Sequence, residues 1–221
     1  MFHVCPTCGA LSPDKPVEAI GGTEAVAVCP ACGARIPFRR LPLFVVTGPS
    51  GAGKSSLAMA LPLLLPECVV LDNDVLWGVI PATPEDDFRS YHTVWLRLAV
   101  NIHQAGRSVV LCGTISPEQL EDSVERRSLD AIHYLALVCE ERILVGRLKA
   151  RPAWRDAGGV AFVARMVAFN DRLRTHAAQT SPPMTLLDTT NAPLDSTARE
   201  VAAWVGRLLG EQRGSGTETG Q

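Results

Sequence analysis

No run of apolar residues in this chain approaches the ~20 needed to cross a bilayer, so a membrane-spanning protein is not expected. Charge of one sign is also lacking: 21 basic residues face 23 acidic ones, for a net charge of −2. That balance argues against a strongly basic nucleic-acid binder and against a protein held on a membrane surface. The first residues, Met1-Phe2-His3-Val4-Cys5, lack a basic stretch followed by an apolar one, so no secretory leader is expected. Cysteines are present, but seven is an odd number and four of them form a metal-binding pattern. A disulfide framework is therefore disfavoured and a reducing cytoplasm is the expected location. What the chain does have is a 47% hydrophobic share with only 20% charged residues, enough for a buried core within 221 residues.

The first forty residues read as a separate module. Cys5-Pro6-Thr7-Cys8 and Cys29-Pro30-Ala31-Cys32 are each followed by Gly-Ala, at Gly9-Ala10 and Gly33-Ala34. Two such knuckles present four thiolates to one metal, which makes a closed tetrahedral Zn²⁺ site with no open position and hence a structural one. So short a segment builds little hydrophobic core, and metal binding would supply much of its folding free energy. Iron in a rubredoxin-like site fits the same ligands; a redox dithiol or disulfides are the competing readings. Lys15, Arg35, Arg39 and Arg40 face Asp14, Glu18 and Glu24, and Phe2 and Phe38 are the only aromatics there. Nucleic-acid binding through the ribbon is thus poorly supported, and packing or docking to a protein fits better. Residues 38–42 read as a short basic linker.

From Leu41 to about Gly210, strand-like and helix-like segments alternate. Apolar β-type runs lie at Leu43–Thr47, Cys68–Leu71, Ser108–Cys112, Ala131–Val138 and Met184–Leu187. This alternation predicts an α/β domain with a parallel sheet covered on both faces. Thr83-Pro84-Glu85-Asp86 predicts a helix start and Gly106 its end, with Phe88, Tyr91, Trp95, Leu98 and Ile102 on the buried face. Ser116-Pro117-Glu118-Gln119 repeats the capping signature. Residues 211–221 are polar and read as a disordered tail.

One motif dominates the chemistry. Gly48-Pro49-Ser50-Gly51-Ala52-Gly53-Lys54-Ser55 is a complete G-x-x-x-x-G-K-[ST] phosphate loop between an apolar strand and the helix-favouring run that starts at Ser56. Backbone N–H groups and the helix start would cradle phosphates, Lys54 would reach the β- and γ-phosphates, and the Ser55 hydroxyl would sit on Mg²⁺. A tight glycine turn with no ligand is the bland alternative. The second strand ends in Asp72-Asn73-Asp74, two carboxylates two apart at a sheet's carboxyl edge. One of the two would orient Mg²⁺ and the other would accept a proton from an attacking hydroxyl; a solvated strand-end turn is the alternative. Arg147 and Arg151 share a helix face, Pro152 ends it, and Arg155 follows on a flap with Gly158-Gly159 as hinge. Such guanidinium groups clamp transferring phosphates or, more blandly, form a solvated face near Glu140 and Glu141.

On these motifs the chain resembles the small P-loop kinases of the nucleoside-monophosphate-kinase superfamily, nearest the shikimate, gluconate and adenylyl-sulfate kinases and chloramphenicol phosphotransferase. The resemblance covers about Leu41 to Leu209. It implies a three-layer P-loop fold with strand order 2-3-1-4-5, and a hydroxyl of a small molecule as phosphate acceptor. ATP would be held by residues 48–56, Arg155 and Asn191, the last in a late loop (Leu187-Asp188-Thr189-Thr190) lying against adenine. By the same resemblance Lys54, Asp72, Asp74, Arg147 and Arg151 would serve catalysis, with Asp72 the Mg²⁺-side carboxylate beside Ser55 and Asp74 the substrate-side one. Val109-Val110-Leu111-Cys112-Gly113-Thr114 lacks the acidic residue of many P-loop ATPases, which disfavours a hydrolase. Those kinases carry no matched zinc ribbon.

Weaker candidates surround the acceptor segment. Arg89 and Arg97 could meet an anionic substrate, and Trp77 could stack on a ring. Cys68, Cys112 and Cys139 read as small buried residues, and His92, His103, His133 and His176 show no ligand spacing. The rival readings are an ATP-driven switch whose ribbon contacts nucleic acid or a protein, and a nucleoside or nucleotide kinase. The paired acids suit a hydroxyl better than a phosphate acceptor.

Overall fold

The computed structural model describes residues 3–152 and 159–215. Two sheets organise them. The first is a small antiparallel ribbon of β1 (Val17–Gly21), β2 (Glu24–Val28) and β3 (Arg35–Arg39), in that order. Its own core is small: Cys5, Ala25, Ala27, Cys29, Ile36 and Phe38.

The second is a five-stranded parallel sheet of β4 (Leu43–Thr47), β5 (Cys68–Asp72), β6 (Ser108–Cys112), β7 (Ile132–Val138) and β8 (Met184–Asp188). Its order is β5-β6-β4-β7-β8. In whole-chain numbering this differs from the expected labels because three ribbon strands precede it; counted within the sheet it is 2-3-1-4-5.

The period-two alternation of β4 shows how the layers form. Leu43 and Val45 enter the core beneath α2 (Arg89–His103), with Tyr91, Trp95 and Leu96. Phe44 and Val46 enter the opposite core, with Leu57 of α1 (Lys54–Ala60) and Val201, Trp204 and Val205 of α6 (Leu194–Ser215). Every residue of β4 is buried, which is why its sequence is continuously apolar rather than alternating. The short α3 (Glu118–Glu121), then α4 (Glu141–Lys149) and α5 (Val160–His176) complete the coat.

Three expectations need correction. The capping signature at Thr83 makes only a 3₁₀ turn, Pro84–Asp86, and α2 starts at Arg89. Asp87 and Phe88 intervene with φ of 52° and 59°, a left-handed pair that costs about 1 kcal/mol or more per residue. Gln119 offsets this by donating to the Asp87 carbonyl and carboxylate at 3.0 and 3.1 Å, while the Asp86 carboxylate accepts from the Ser90 amide at 3.1 Å. Leu98 is 39% exposed, not buried; Leu96, Ala99 and Val100 fill the face instead. Finally, α6 continues through Gly210 to Ser215.

The ribbon is docked, not tethered. Arg39 of β3 exchanges a strand-like pair of bonds with a side chain: its amide donates to Gln104 Oε1 at 2.9 Å, and Gln104 Nε2 donates to its carbonyl at 3.0 Å. Arg40 Nη2 donates to the Leu129 carbonyl at 2.7 Å, and Arg127 pairs with Asp14. No helix among the described residues is long and apolar enough to cross a membrane.

Candidate active site and metal centre

The near-duplicated cysteine segments fold alike. Cys5 N donates to Ala10 O and Gly9 N to Cys5 O; Cys29 N donates to Ala34 O and Gly33 N to Cys29 O, all at 2.9 Å. The four sulfur atoms lie within 4.8 Å of one another, with Cys5–Cys32 and Cys8–Cys29 at 3.8 Å. That spacing is too long for a disulfide. It matches the edge of a tetrahedron whose four metal–sulfur bonds are ~2.3 Å, about 3.8 Å. The Cys8 amide aimed at Cys5 sulfur holds that thiol down to about 6, and the Ala31 amide lowers Cys29 likewise. Both effects favour thiolates; at Cys32 the Ala34 amide acts the same way but is outweighed by the neighbouring thiols and burial, which push that thiol up to about 12, so the metal-free cage does not hold four thiolates. The donor set fits Zn²⁺ and, with the same geometry, a single iron. The remaining cysteines, Cys68, Cys112 and Cys139, are buried and free.

The larger site is a cavity of about 390 Å³ at the carboxyl edge of the parallel sheet. Its floor is the glycine loop between β4 and α1. Gly48 has φ of 144°, and a Cβ there would stand 2.5 Å from the Leu137 carbonyl, so only glycine lets the loop lie this close to β7. Lys54 Nζ folds back on the loop, donating to the Gly48 and Pro49 carbonyls at 2.7 and 2.9 Å. Burial pushes its ammonium down to about 8; Asp74 opposes that shift and Arg151 adds to it. No side chain caps α1, which leaves its first amides for an anion. These features fit a phosphate chain.

Asp72 and Asp74 line the same cavity. Their turn is fixed from three sides: Asp72 Oδ1 accepts from Asp74 N at 3.0 Å, Tyr91 Oη donates to the Asn73 carbonyl, and Asn73 is buried against Gly113. A Cβ on Gly113 would lie 2.6 Å from Asn73 Nδ2 and 2.7 Å from its Cβ. Gly113→Ala should therefore lower stability by about 1–3 kcal/mol and displace the acid turn. Thermal melting reads the first effect; an unchanged midpoint would count against this packing.

Several expected residues keep their place and others do not. Ser50, Gly51, Ala52, Gly53, Lys54, Ser55, Ser56, Asp72, Asp74, Arg147 and Arg151 all line the cavity. Gly48 and Pro49 lie behind it and act through their carbonyls. Asn191 is exposed and outside the lining, which draws Thr189, Ala192, Leu194 and Thr197 from its loop and from α6 instead. Arg147 donates to the Thr189 carbonyl at 2.9 Å and the Thr190 carbonyl at 3.3 Å, tying α4 to that loop. Thr189 in turn bonds Ala52 O and Val138 O at 3.3 and 3.2 Å. Arg155 and the rest of the expected flap turn at residues 154–159, apart from Gly159, lie outside the described residues. Arg97 is not in the acceptor segment's reach: it pairs with Glu125 at 2.8 Å, where the ribbon docks.

Cys112, Gly113 and Thr114 close the cavity's remaining wall. Burial pushes the Cys112 thiol up to about 12, so it is no nucleophile. Thr114 Oγ1 donates to Gly48 O at 3.1 Å, bracing the loop. Burial holds His92 and His103 down to about 4, leaving both neutral.

No protein-family model and no curated protein matches this chain. Solved structures do. A kinase candidate from Chloroflexus aurantiacus J-10-fl aligns with TM-score 0.52 at 17% identity, over 76% of this chain and 98% of that one. The structure of APE1195 aligns with TM-score 0.52 at 15% identity, over 76% and 96%. A gluconokinase from Sinorhizobium meliloti 1021 gives 0.48 at 21%, over 77% and 95%. At these identities the likeness to the first two establishes the fold alone, a parallel-sheet α/β architecture.

Proposed function

We propose that this protein is an ATP-dependent kinase that transfers the γ-phosphoryl group to a hydroxyl of a small molecule, and that its ribbon holds a structural zinc ion. The observation that carries the reading is the convergence of the glycine loop, Lys54, two strand-end carboxylates and Arg151 on one cavity. The kinase described from Chloroflexus aurantiacus, which shares the fold, agrees with it.

The triphosphate lies on residues 50–56, where Lys54 exchanges the Gly48 and Pro49 carbonyls for β- and γ-phosphate oxygens. The Ser55 hydroxyl and Asp72 would hold Mg²⁺, which would supply charge neutralisation to the phosphates. Asp74 takes the proton of the acceptor hydroxyl as its oxygen bonds to phosphorus and the bond to the ADP oxygen breaks. Lys54 and Arg151 spread the charge of the transferring group. Arg147 acts one step back, holding the Thr189–Thr190 loop against the base. The cavity's Cys112-Gly113-Thr114 wall offers no carboxylate to activate water, which favours transfer over hydrolysis.

A structural role for the ribbon is supported by three of its four cations being engaged, Arg39 being exposed. Lys15 is buried on the His3 and Ser12 carbonyls at 2.7 Å, Arg35 pairs with Glu18 at 2.7 Å, and Arg40 binds Leu129 O. A nucleic-acid surface would leave such groups outward and unengaged.

Asp74→Asn tests the assignment. It should leave the ATP dissociation constant within about twofold and lower kcat by about 10²–10⁴-fold. Full transfer by that variant, measured with γ-labelled ATP, would remove Asp74 from the mechanism.

A further inference from the structure

Beyond Asp74 the chain builds a surface that the phosphate chemistry does not use. The Trp77 amide donates to the Asp74 carbonyl at 3.0 Å, closing the turn that carries the carboxylate. The indole that follows is 58% exposed, an unusual state for so large an apolar ring. It is nonetheless held: Tyr91 meets it edge-on at 5.7 Å and 72°, and Phe88 lies at 6.1 Å. Tyr91 also bonds Asn73 within the acid turn, so ring and carboxylate share one support. Val75 and Val79, on either side, are 68% and 73% exposed.

The charges here are of one sign. Between Asp72 and Tyr91 stand Asp72, Asp74, Glu85, Asp86 and Asp87, against Arg89 alone. Arg89 lies 3.4 Å from Asp122. Arg97 is eight residues farther along α2, about 12 Å of rise, and engaged with Glu125. Both arginines of α2 thus already have carboxylate partners, and the cations that share the cavity with Asp74, namely Lys54, Arg147 and Arg151, belong to the phosphate site, so an acceptor bearing a carboxylate, sulfate or phosphate would compete there with the triphosphate and otherwise meet chiefly acids.

We propose that the acceptor is an uncharged or cationic hydroxyl compound with an apolar ring or sugar face, and that this face lies on the Trp77 indole while its hydroxyl meets Asp74. The inference rests on the kinase reading and narrows it. Apolar C–H faces and cations both bind an indole face favourably, and a cation gains further from the flanking carboxylates. Transfer then gives the acceptor phosphate ester and ADP, with the hydroxyl proton passing to Asp74.

The test uses the full chain with γ-labelled ATP and a metabolite library separated by charge at pH 7 before reaction. Label should appear in products of the neutral or cationic fraction. On the compound found there, Trp77→Ala should raise KM about tenfold with kcat within about twofold, and Trp77→Phe should recover most of the loss. Label confined to the anionic fraction, or in neither fraction while ATP still binds, overturns the acceptor class. An unchanged KM in Trp77→Ala overturns the role of the indole. Failure of the wild-type chain to bind ATP, measured separately by calorimetry, would strike the kinase reading itself.

Discussion

Lys54→Ala is expected to lower phosphoryl transfer by about 10³-fold, roughly 4 kcal/mol of transition-state stabilisation. The lysine is poised for that role by its surroundings. Burial has pushed its ammonium down to about 8, so near pH 9 the nucleotide-free side chain is largely neutral. A triphosphate beside it restores the ordinary high value. ATP binding should therefore take up protons between about pH 8 and 10, a quantity read by calorimetry in buffers of different ionisation heat. The same shift gives the stability of the free protein a definite slope. Between the folded value near 8 and the unfolded value near 10.5, the unfolded chain carries the extra proton at this site, so the Lys54 contribution to stability rises with pH across that window, opposed above about pH 9 by the raised Cys112 and Cys68 thiols. Lys54→Ala should abolish both the uptake and that slope. Proton uptake persisting in the variant would show that another group titrates.

Cys29→Ser should produce the second large effect. The thiolate cage is the centre of a module whose apolar core consists of a few small residues plus Ile36 and Phe38, and structural zinc contributes on the order of 10 kcal/mol to comparable peptides. One metal equivalent per chain should fall to a small fraction, and protease should then cut within residues 3–39. Cys139→Ser, outside the cage, should keep its metal. Retention of a full equivalent by Cys29→Ser would exclude the four-sulfur site. Metal analysis distinguishes zinc from iron directly.

Much of this architecture is legible in the residues themselves. The apolar runs locate all five parallel strands to within a residue at either end; the central β4, β6 and β7 are buried on both faces and leave no polar alternation to confuse them, whereas the edge strands β5 and β8 are partly exposed yet still read as short apolar runs. The paired Cys-x-x-Cys-Gly-Ala segments locate the cage for a similar reason: the local turn alone aims the sulfurs. What was not legible depends on contacts distant in sequence. The Thr83 capping signature is locally sound, yet Gln119, more than thirty residues away, holds Asp87 in the left-handed region and delays the helix. Arg97 has the spacing of a pocket residue, but Glu125 draws it toward the ribbon. Gly113 stands where an acid is common, and only the packed structure shows that Asn73 leaves no room there for a Cβ. Thr189 was visible as part of a late loop; its three-way link among β7, the glycine loop and Arg147 was not.

The order in which the chain leaves the ribosome follows from the sheet. The ribbon's strands pair only with one another within residues 17–39, so a metal ion can complete that module while the rest is still being made. β4 emerges next, wholly apolar, and its hydrogen-bonding neighbours are β6 and β7, translated much later. Until Ser108 and Ile132 appear, the most water-averse strand of the molecule waits unpartnered, exposed to chaperones or to neighbouring nascent chains. On the proposed reading, zinc would be taken up at the start of synthesis and nucleotide only near its end.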